Sequence, residues 1–222
     1  MMSAIRFGLW LLARILVPLR YRIQMHDWDQ IRNLKTPVLI LPSHPAFIDP
    51  LLILTTFFGR FHPRSVLYEG NFPGPVRQLL VKLLMAVSVP DLARPSQDAH
   101  QRAEQAIAEI IAGLHRGENF VLWPSGRAQR DGVERIGAAR ALADILRAVP
   151  EANIVLVRTC GLWGSMFSYA RTGQAPHLGK CLLNGILLLA ANLFLLMPRR
   201  RVDIHVSTEA STTDMVSIAV QC

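Results

Sequence analysis

The chain has 222 residues, 51% of them hydrophobic and only 18% charged, with 14 Gly and 14 Pro. That length suits one domain with attached helices around a sizeable core, and the composition excludes a disordered tail, a collagen-like repeat or a Pro/Gly-rich linker. Twenty-four Lys+Arg against 16 Asp+Glu give a formal charge of +8 and point to an anionic partner. Cys160, Cys181 and Cys222 are odd in number and widely spaced, so they form neither a disulfide framework nor a CxxC metal site and fit a reducing compartment.

Mean hydropathy is +0.28, and the excess lies in two segments. From Ile5 to Leu19 the chain reads IRFGLWLLARILVPL, in which Ser3, Arg6 and Arg14 fall within about 80° on a helical wheel. Arg14 interrupts the run and no A-x-A site follows, which argues against a secretory signal. Shorter than the roughly 20 residues that span a bilayer, residues 1–20 read as an interfacial helix with Trp10 at headgroup depth and the arginines on phosphates.

Strand-like and helical runs then alternate. Strands are expected at Tyr21 to Met25, Pro37 to Leu41, Arg64 to Tyr68, Met85 to Val89, Phe120 to Trp123, Asn153 to Arg158 and Val202 to Val206. Helices are expected at Pro50 to Phe58, Val76 to Leu84, Gln97 to His115 and Ile136 to Ala148. The second apolar segment, 181–197, reads CLLNGILLLAANLFLLM between Lys180 and the triple arginine Arg199 to Arg201. It is either a buried core helix or a monotopic or re-entrant membrane helix, and basic flanks at both ends give no orientation. Aromatics are only 7% and no basic-aromatic stripe accompanies the arginines, so a membrane surface is the better anionic partner and nucleic acid is not expected. The alternation predicts an α/β domain over 21–210, with a mixed, partly parallel sheet flanked by helices, and 211–222 as a tail.

Two constellations carry chemistry. After PVLIL comes PSHPAFIDP, which sets His44 and Asp49 five positions apart in a loop leading into a helix, the usual place for a site in an α/β sheet. A neutral imidazole can take a proton from an attacking hydroxyl while a carboxylate on its other nitrogen fixes the tautomer. With no GxSxG motif, the nucleophile would be the substrate's own hydroxyl. The same spacing arises often by chance, and Asp49 before Pro50 also reads as a helix N-cap. The second constellation, NFVLWPSGRAQRDG, ends a strand in a Ser-Gly turn, where Ser125, Gly126 and Arg127 suit a phosphate cradle or a solvated surface turn. The other histidines, at 26, 62, 100, 115, 177 and 205, have no acidic partner at a telling spacing, and no metal site can be built.

Together the two segments resemble the glycerolipid acyltransferase family, the lysophosphatidic acid acyltransferase-like enzymes. SHPAFID matches the family's N-H-x4-D motif with Ser43 for Asn, and WPSGR matches its F-P-E-G-R motif with Trp123 for Phe and Ser125 for Glu. IVLVRTCGLWGSMFS is similar to the family's fourth block, and within the family the likeness is to the acyltransferase portion of bacterial bifunctional acyltransferase/acyl-ACP synthetase proteins. The resemblance implies a glycerol-phosphate-acyltransferase-like fold at the cytoplasmic face of a membrane, peripheral or monotopic, in phospholipid biosynthesis. It implies transfer of an acyl group from an acyl-ACP or acyl-CoA co-substrate, with no cofactor, to a lysophospholipid or 1-acylglycerol-3-phosphate. His44 would be the base, Asp49 its partner, and Ser125, Gly126 and Arg127 the phosphate ligands, with Arg94 as a loosely aligned addition. Membrane lipid, acyl carrier protein or a CoA thioester, and a fused or cooperating acyl-activating enzyme are the partners it implies. Two other readings stay open: a non-catalytic membrane-bound lipid-binding module and a thioester hydrolase.

Overall fold

The computed structural model describes residues 2–71, 74–90, 96–137, 139–195 and 198–208. Arg94 and the 211–222 tail lie outside them. The described elements in chain order are α1 (Met2–Arg20), β1 (Tyr21–His26), β2 (Val38–Pro42), α2 (Asp49–Phe61), β3 (Arg64–Tyr68), α3 (Gly74–Leu84), β4 (Val87–Val89), α4 (Gln97–His115), β5 (Phe120–Val121), α5 (Ala139–Ala148), β6 (Asn153–Cys160), α6 (Leu178–Leu195) and β7 (Arg200–Ser207). Every expected strand and helix is present.

The strands form one seven-stranded sheet in the order β1-β7-β6-β2-β5-β3-β4. All neighbours run parallel except β6 and β7. Strands covered on both faces read as unbroken apolar runs, and β2 is buried at all five positions. Its alternate side chains feed two cores. Val38 and Ile40 pack with Val121, Val155, Val157 and the α2 residues Leu52, Ile53 and Phe57. Leu39 and Leu41 pack with Phe120, the α4 stripe Ala106, Ile110 and Leu114, and Leu142 and Ile145 of α5. Fully burying a side chain such as Ile110 contributes roughly 1.5–3 kcal/mol, so this stripe fixes α4 against the sheet. Ser96 starts α4 by accepting a bond from Ala99 N at 3.0 Å.

The expected helix at Ile136 begins instead at Ala139. Gly137 N donates to Pro124 O at 3.0 Å, and a Cβ on Gly137 would lie 2.6 Å from Ser125 O, so this stretch closes the turn after β5 rather than opening α5.

Two side chains of the N-terminal helix, Trp10 and Arg6, are placed against the domain and not at headgroups. Trp10 Nε1 donates to Thr55 O at 2.9 Å, and Arg6 Nη2 donates to Pro63 O at 2.9 Å with its guanidinium over the Phe58 ring. Arg6, Trp10, Ala13 and Val17, spaced i, i+4, i+7, i+11, therefore face the domain. A carbonyl in the middle of α2 and one just beyond its end, Thr55 O and Pro63 O, give these polar groups partners within the protein. The opposite arc, with Phe7, Leu12 and Ile15, is exposed and apolar. Helix α6 behaves alike. Cys181 and Asn192 are buried, the latter donating to Leu19 O at 3.0 Å, while Leu183, Ile186 and Leu187 point outward. One face of α6 is packed on the domain and the other is bare. No described helix is long and apolar enough to cross a membrane.

Candidate active site

Strands β2, β5 and β6 run in one direction, so the loops that follow them leave from a common edge. The loop after β2 is anchored first by Ser43, whose N–H donates to Val157 O at 2.8 Å and whose Oγ accepts from Thr159 N at 3.0 Å. His44 follows, with Nδ1 2.9 Å from Asp49 Oδ1, a close His–carboxylate contact whose N–H points well off the line of a hydrogen bond. Asp49 is fully buried and opens α2, whose N-cap position is Ile48 with no side-chain cap bond. Its carboxylate serves the imidazole, so the capping role suggested by the Asp-Pro pair is not the one found. Phe47 and Trp123 flank the His44 ring, with centroids at 6.2 and 5.9 Å. Nδ1 is enclosed, whereas Nε2 makes no hydrogen bond among the described residues and is the nitrogen left for a substrate.

Burial pushes the His44 pKa down, but Asp49 and, behind it, Glu134 act more strongly, and the net direction is up. Burial also raises the Asp49 carboxyl, to about 6, against the pull of His44, while Glu134 pushes it further up. The Trp123 indole N–H faces the same carboxylate without closing a short bond. A buried imidazole whose pKa is raised, beside a carboxyl raised to about 6, is set to take up a proton from a substrate.

The loop after β5 lies against the His44 loop. Gln129 N donates to His44 O at 2.9 Å, and His44 N donates to Glu134 Oε2 at 2.9 Å. Gly126, at φ 67°, makes the turn, and its N–H is donated to Trp123 O at 3.0 Å. Ser125 is buried with its Oγ enclosed, so this hydroxyl and the Gly126 N–H are turned into the protein. Arg127 is exposed and makes no ion pair or hydrogen bond among the described residues. The structure thus joins His44 and Asp49 directly, sets Arg127 free on the loop bonded to His44, and gives Ser125 and Gly126 the shape of the turn.

Glu134, Gln129 and Trp123 were not singled out from the sequence as site residues. Glu134 lies in RDGVER, a charge-rich stretch that reads as a solvated turn, and its contact with His44 spans 90 positions. Two other histidines meet acidic partners from distant positions: His26 Nε2 is 2.9 Å from Asp203 Oδ1 and His115 Nδ1 is 3.3 Å from Glu151 Oε1. No group of three or more His, Cys, Asp or Glu that could hold a metal occurs among the described residues. A larger apolar cleft, about 100 Å³, lies away from this pair between α1, α2 and α3, lined by Trp10, Leu51, Thr55 and Phe58.

No protein-family model matches the chain, and no curated protein sequence matches it. Among solved structures, the crystal structure of the 1-acyl-sn-glycerophosphate (LPA) acyltransferase PlsC from Thermotoga maritima superposes with a TM-score of 0.57. It is 14% identical and the match covers 96% of this chain and 76% of that one. The chain shares that acyltransferase fold. The mixed, mostly parallel sheet with flanking helices, expected from the alternation of runs, is the architecture the two have in common.

Proposed function

We propose that the chain is a glycerolipid acyltransferase, moving a fatty acyl group from an acyl-ACP or acyl-CoA thioester to a hydroxyl of a lysophospholipid or 1-acylglycerol-3-phosphate. The observation that carries this reading is the buried His44–Asp49 contact at the strand edge, bonded through Gln129 to the loop bearing an unpaired Arg127. His44 Nε2 takes the proton of the acceptor hydroxyl as its oxygen attacks the thioester carbonyl. Asp49 holds the ring and stabilises the imidazolium. The new O–C bond forms, the C–S bond breaks, and the proton returns to the departing thiolate. Arg127 offers a planar fork to two oxygens of the acceptor phosphate. The shared fold with an LPA acyltransferase supports the same reaction class.

The outward apolar faces of α1 and α6 support attachment to one leaflet. Exposed Phe7, Leu12 and Ile15 on α1 and Leu183, Ile186 and Leu187 on α6, with Arg14 and Arg199 beside them, suit an anionic lipid surface. Flotation with phosphatidylglycerol-containing vesicles checks this. The native chain is expected to float, and Leu12→Glu with Ile186→Glu is expected to stay in solution.

The deciding experiment incubates purified protein with labelled acyl-ACP or acyl-CoA and a panel of lysophospholipids and glycerol phosphates. Label moving to an acceptor is the expected result. Free fatty acid released equally with and without acceptor identifies a hydrolase, and binding without turnover identifies a lipid-binding module; either outcome removes the proposal.

A further inference from the structure

The loop 124–137 has little regular structure, yet it buries a carboxylate. Glu134 is buried beside His44, and its neighbour Arg135 does not pair with it; Arg135 binds Asp131 through two bonds of 2.8 and 2.7 Å. An anion without a cationic partner is costly to bury, so its two hydrogen bonds are informative. Oε2 accepts from the main-chain N–H of His44 at 2.9 Å and from Gln129 Nε2 at 2.7 Å. Gln129, also buried, closes the circuit by donating its own N–H to His44 O at 2.9 Å. Both backbone polar groups of His44 are thereby committed to the loop that carries Arg127. Glu134 Oε1 has no partner and lines a cavity of about 20 Å³ with Pro42, Ser43 and Pro124, too small for substrate.

We infer that Glu134 is a positioning residue of the site, a second carboxylate that clamps the main chain of His44 and sets the charge beside its ring. The inference rests on the reading of His44 as general base. Two effects follow from one side chain. The hydrogen bonds keep Nε2 at a fixed place relative to Arg127, so that an acceptor held by its phosphate presents its hydroxyl to the base. The charge favours the protonated imidazole, as the upward push of Glu134 on both His44 and Asp49 indicates. The charged groups acting on the ring are Asp49, from α2, and Glu134, from this loop; its other close neighbours, Phe47 and Trp123, are aromatic.

Two variants separate the effects. Glu134→Gln keeps an acceptor oxygen for both N–H groups and removes the charge. In the full chain, the His44 imidazole followed by NMR is expected to titrate roughly half a pH unit lower than in the native protein, and the acid limb of kcat/KM to move by the same amount with acceptor KM unchanged. Glu134→Leu removes the clamp as well, and is expected to lower kcat roughly tenfold or more and to raise acceptor KM. A His44 titration in Glu134→Gln that stays at the native pH overturns the inference, and so does a folded Glu134→Leu with native kcat and KM. The NMR titration requires no turnover. If His44→Ala retains full acyl transfer, the base reading fails, while the titration of Glu134→Gln still decides whether the carboxylate acts on the ring.

Discussion

Among the described residues two histidine–aspartate pairs share the same 2.9 Å separation, His44 with Asp49 and His26 with Asp203. Their surroundings differ. The first pair has side-chain exposures of 9% and 0%, the second 38% and 19%. Asp203 is held down to about 2 by its bonds to Arg201 and His26, in the manner of a solvated carboxylate among cations. Asp49 is pushed up to about 6 because burial penalises its charge more than His44 relieves it. His26 also stacks on His205 at 4.3 Å, an arrangement that gives the ring another ring to face instead of an open edge. Distance alone therefore does not make a catalytic dyad. Desolvation distinguishes the pair that can do chemistry from the pair that ties β1 to β7.

The largest test of this contrast is removal of each imidazole. His44→Ala is expected to reduce acyl transfer by roughly 10² or more, the scale of a lost general base, whereas His26→Ala leaves turnover near native. Equal losses would erase the distinction. Asp49→Asn is expected to cost about 10² in kcat as the ring loses its orienting charge. Because Asp49 raises the His44 pKa, the acid limb of kcat/KM in the native protein lies above the ordinary imidazole value of 6.5, and Asp49→Asn moves it down; Asp203→Asn leaves it in place. A pH–rate series on the three proteins reads this directly.

The arginines give a smaller effect. Arg127→Ala is expected to raise acceptor KM roughly tenfold, the order of one charge-assisted hydrogen bond, with kcat little changed. A lowered kcat at constant KM contradicts phosphate binding. Arg201, bonded to Asp203 at 2.8 Å, has no such influence, and Arg201→Ala keeps the native KM.

The smallest effect is on stability, and its sign is opposite at the two pairs. Asp203 has a folded pKa near 2, below its ordinary 3.8, so its contribution is present above pH 3.8 and is lost as pH falls toward 2. Asp49, raised to about 6, contributes fully below 3.8 and loses that contribution as pH rises through 6. Melting temperatures across pH should show Asp203→Asn flattening the fall on the acid side and Asp49→Asn flattening the fall as pH rises toward neutrality. The Asp203 change is modest because the group is exposed.

The contrast also shows what one dimension of sequence conveys. Runs of β-branched and leucine residues such as VLIL and NIVLV announced their strands, because both faces of the sheet are covered and periodicity is absent for a physical reason. The His44–Asp49 pair was legible because a short loop brings both residues to one place. His26 and Asp203 were not, since their meeting depends on β1 lying beside β7, with Gln24 opposite Asp203. Glu134 was hidden for a further reason: between Asp131 and Arg135 it looks like part of a solvated charge cluster, and only the capture of Arg135 by Asp131 turns it inward. The inward face of α1 was equally hidden. Arg6 and Trp10 carry polar atoms that sequence assigns to water or headgroups, and carbonyls of Pro63 and Thr55 are invisible to any composition count.

Helix α2 begins at Asp49 and, six residues later, offers Thr55 O to Trp10 of α1. Six residues of α-helix rise about 9 Å. The carboxylate that faces His44 and the carbonyl that holds α1 thus stand on one helix, about 9 Å apart along its axis, so a single rod carries both the buried pair and the seat of the N-terminal helix.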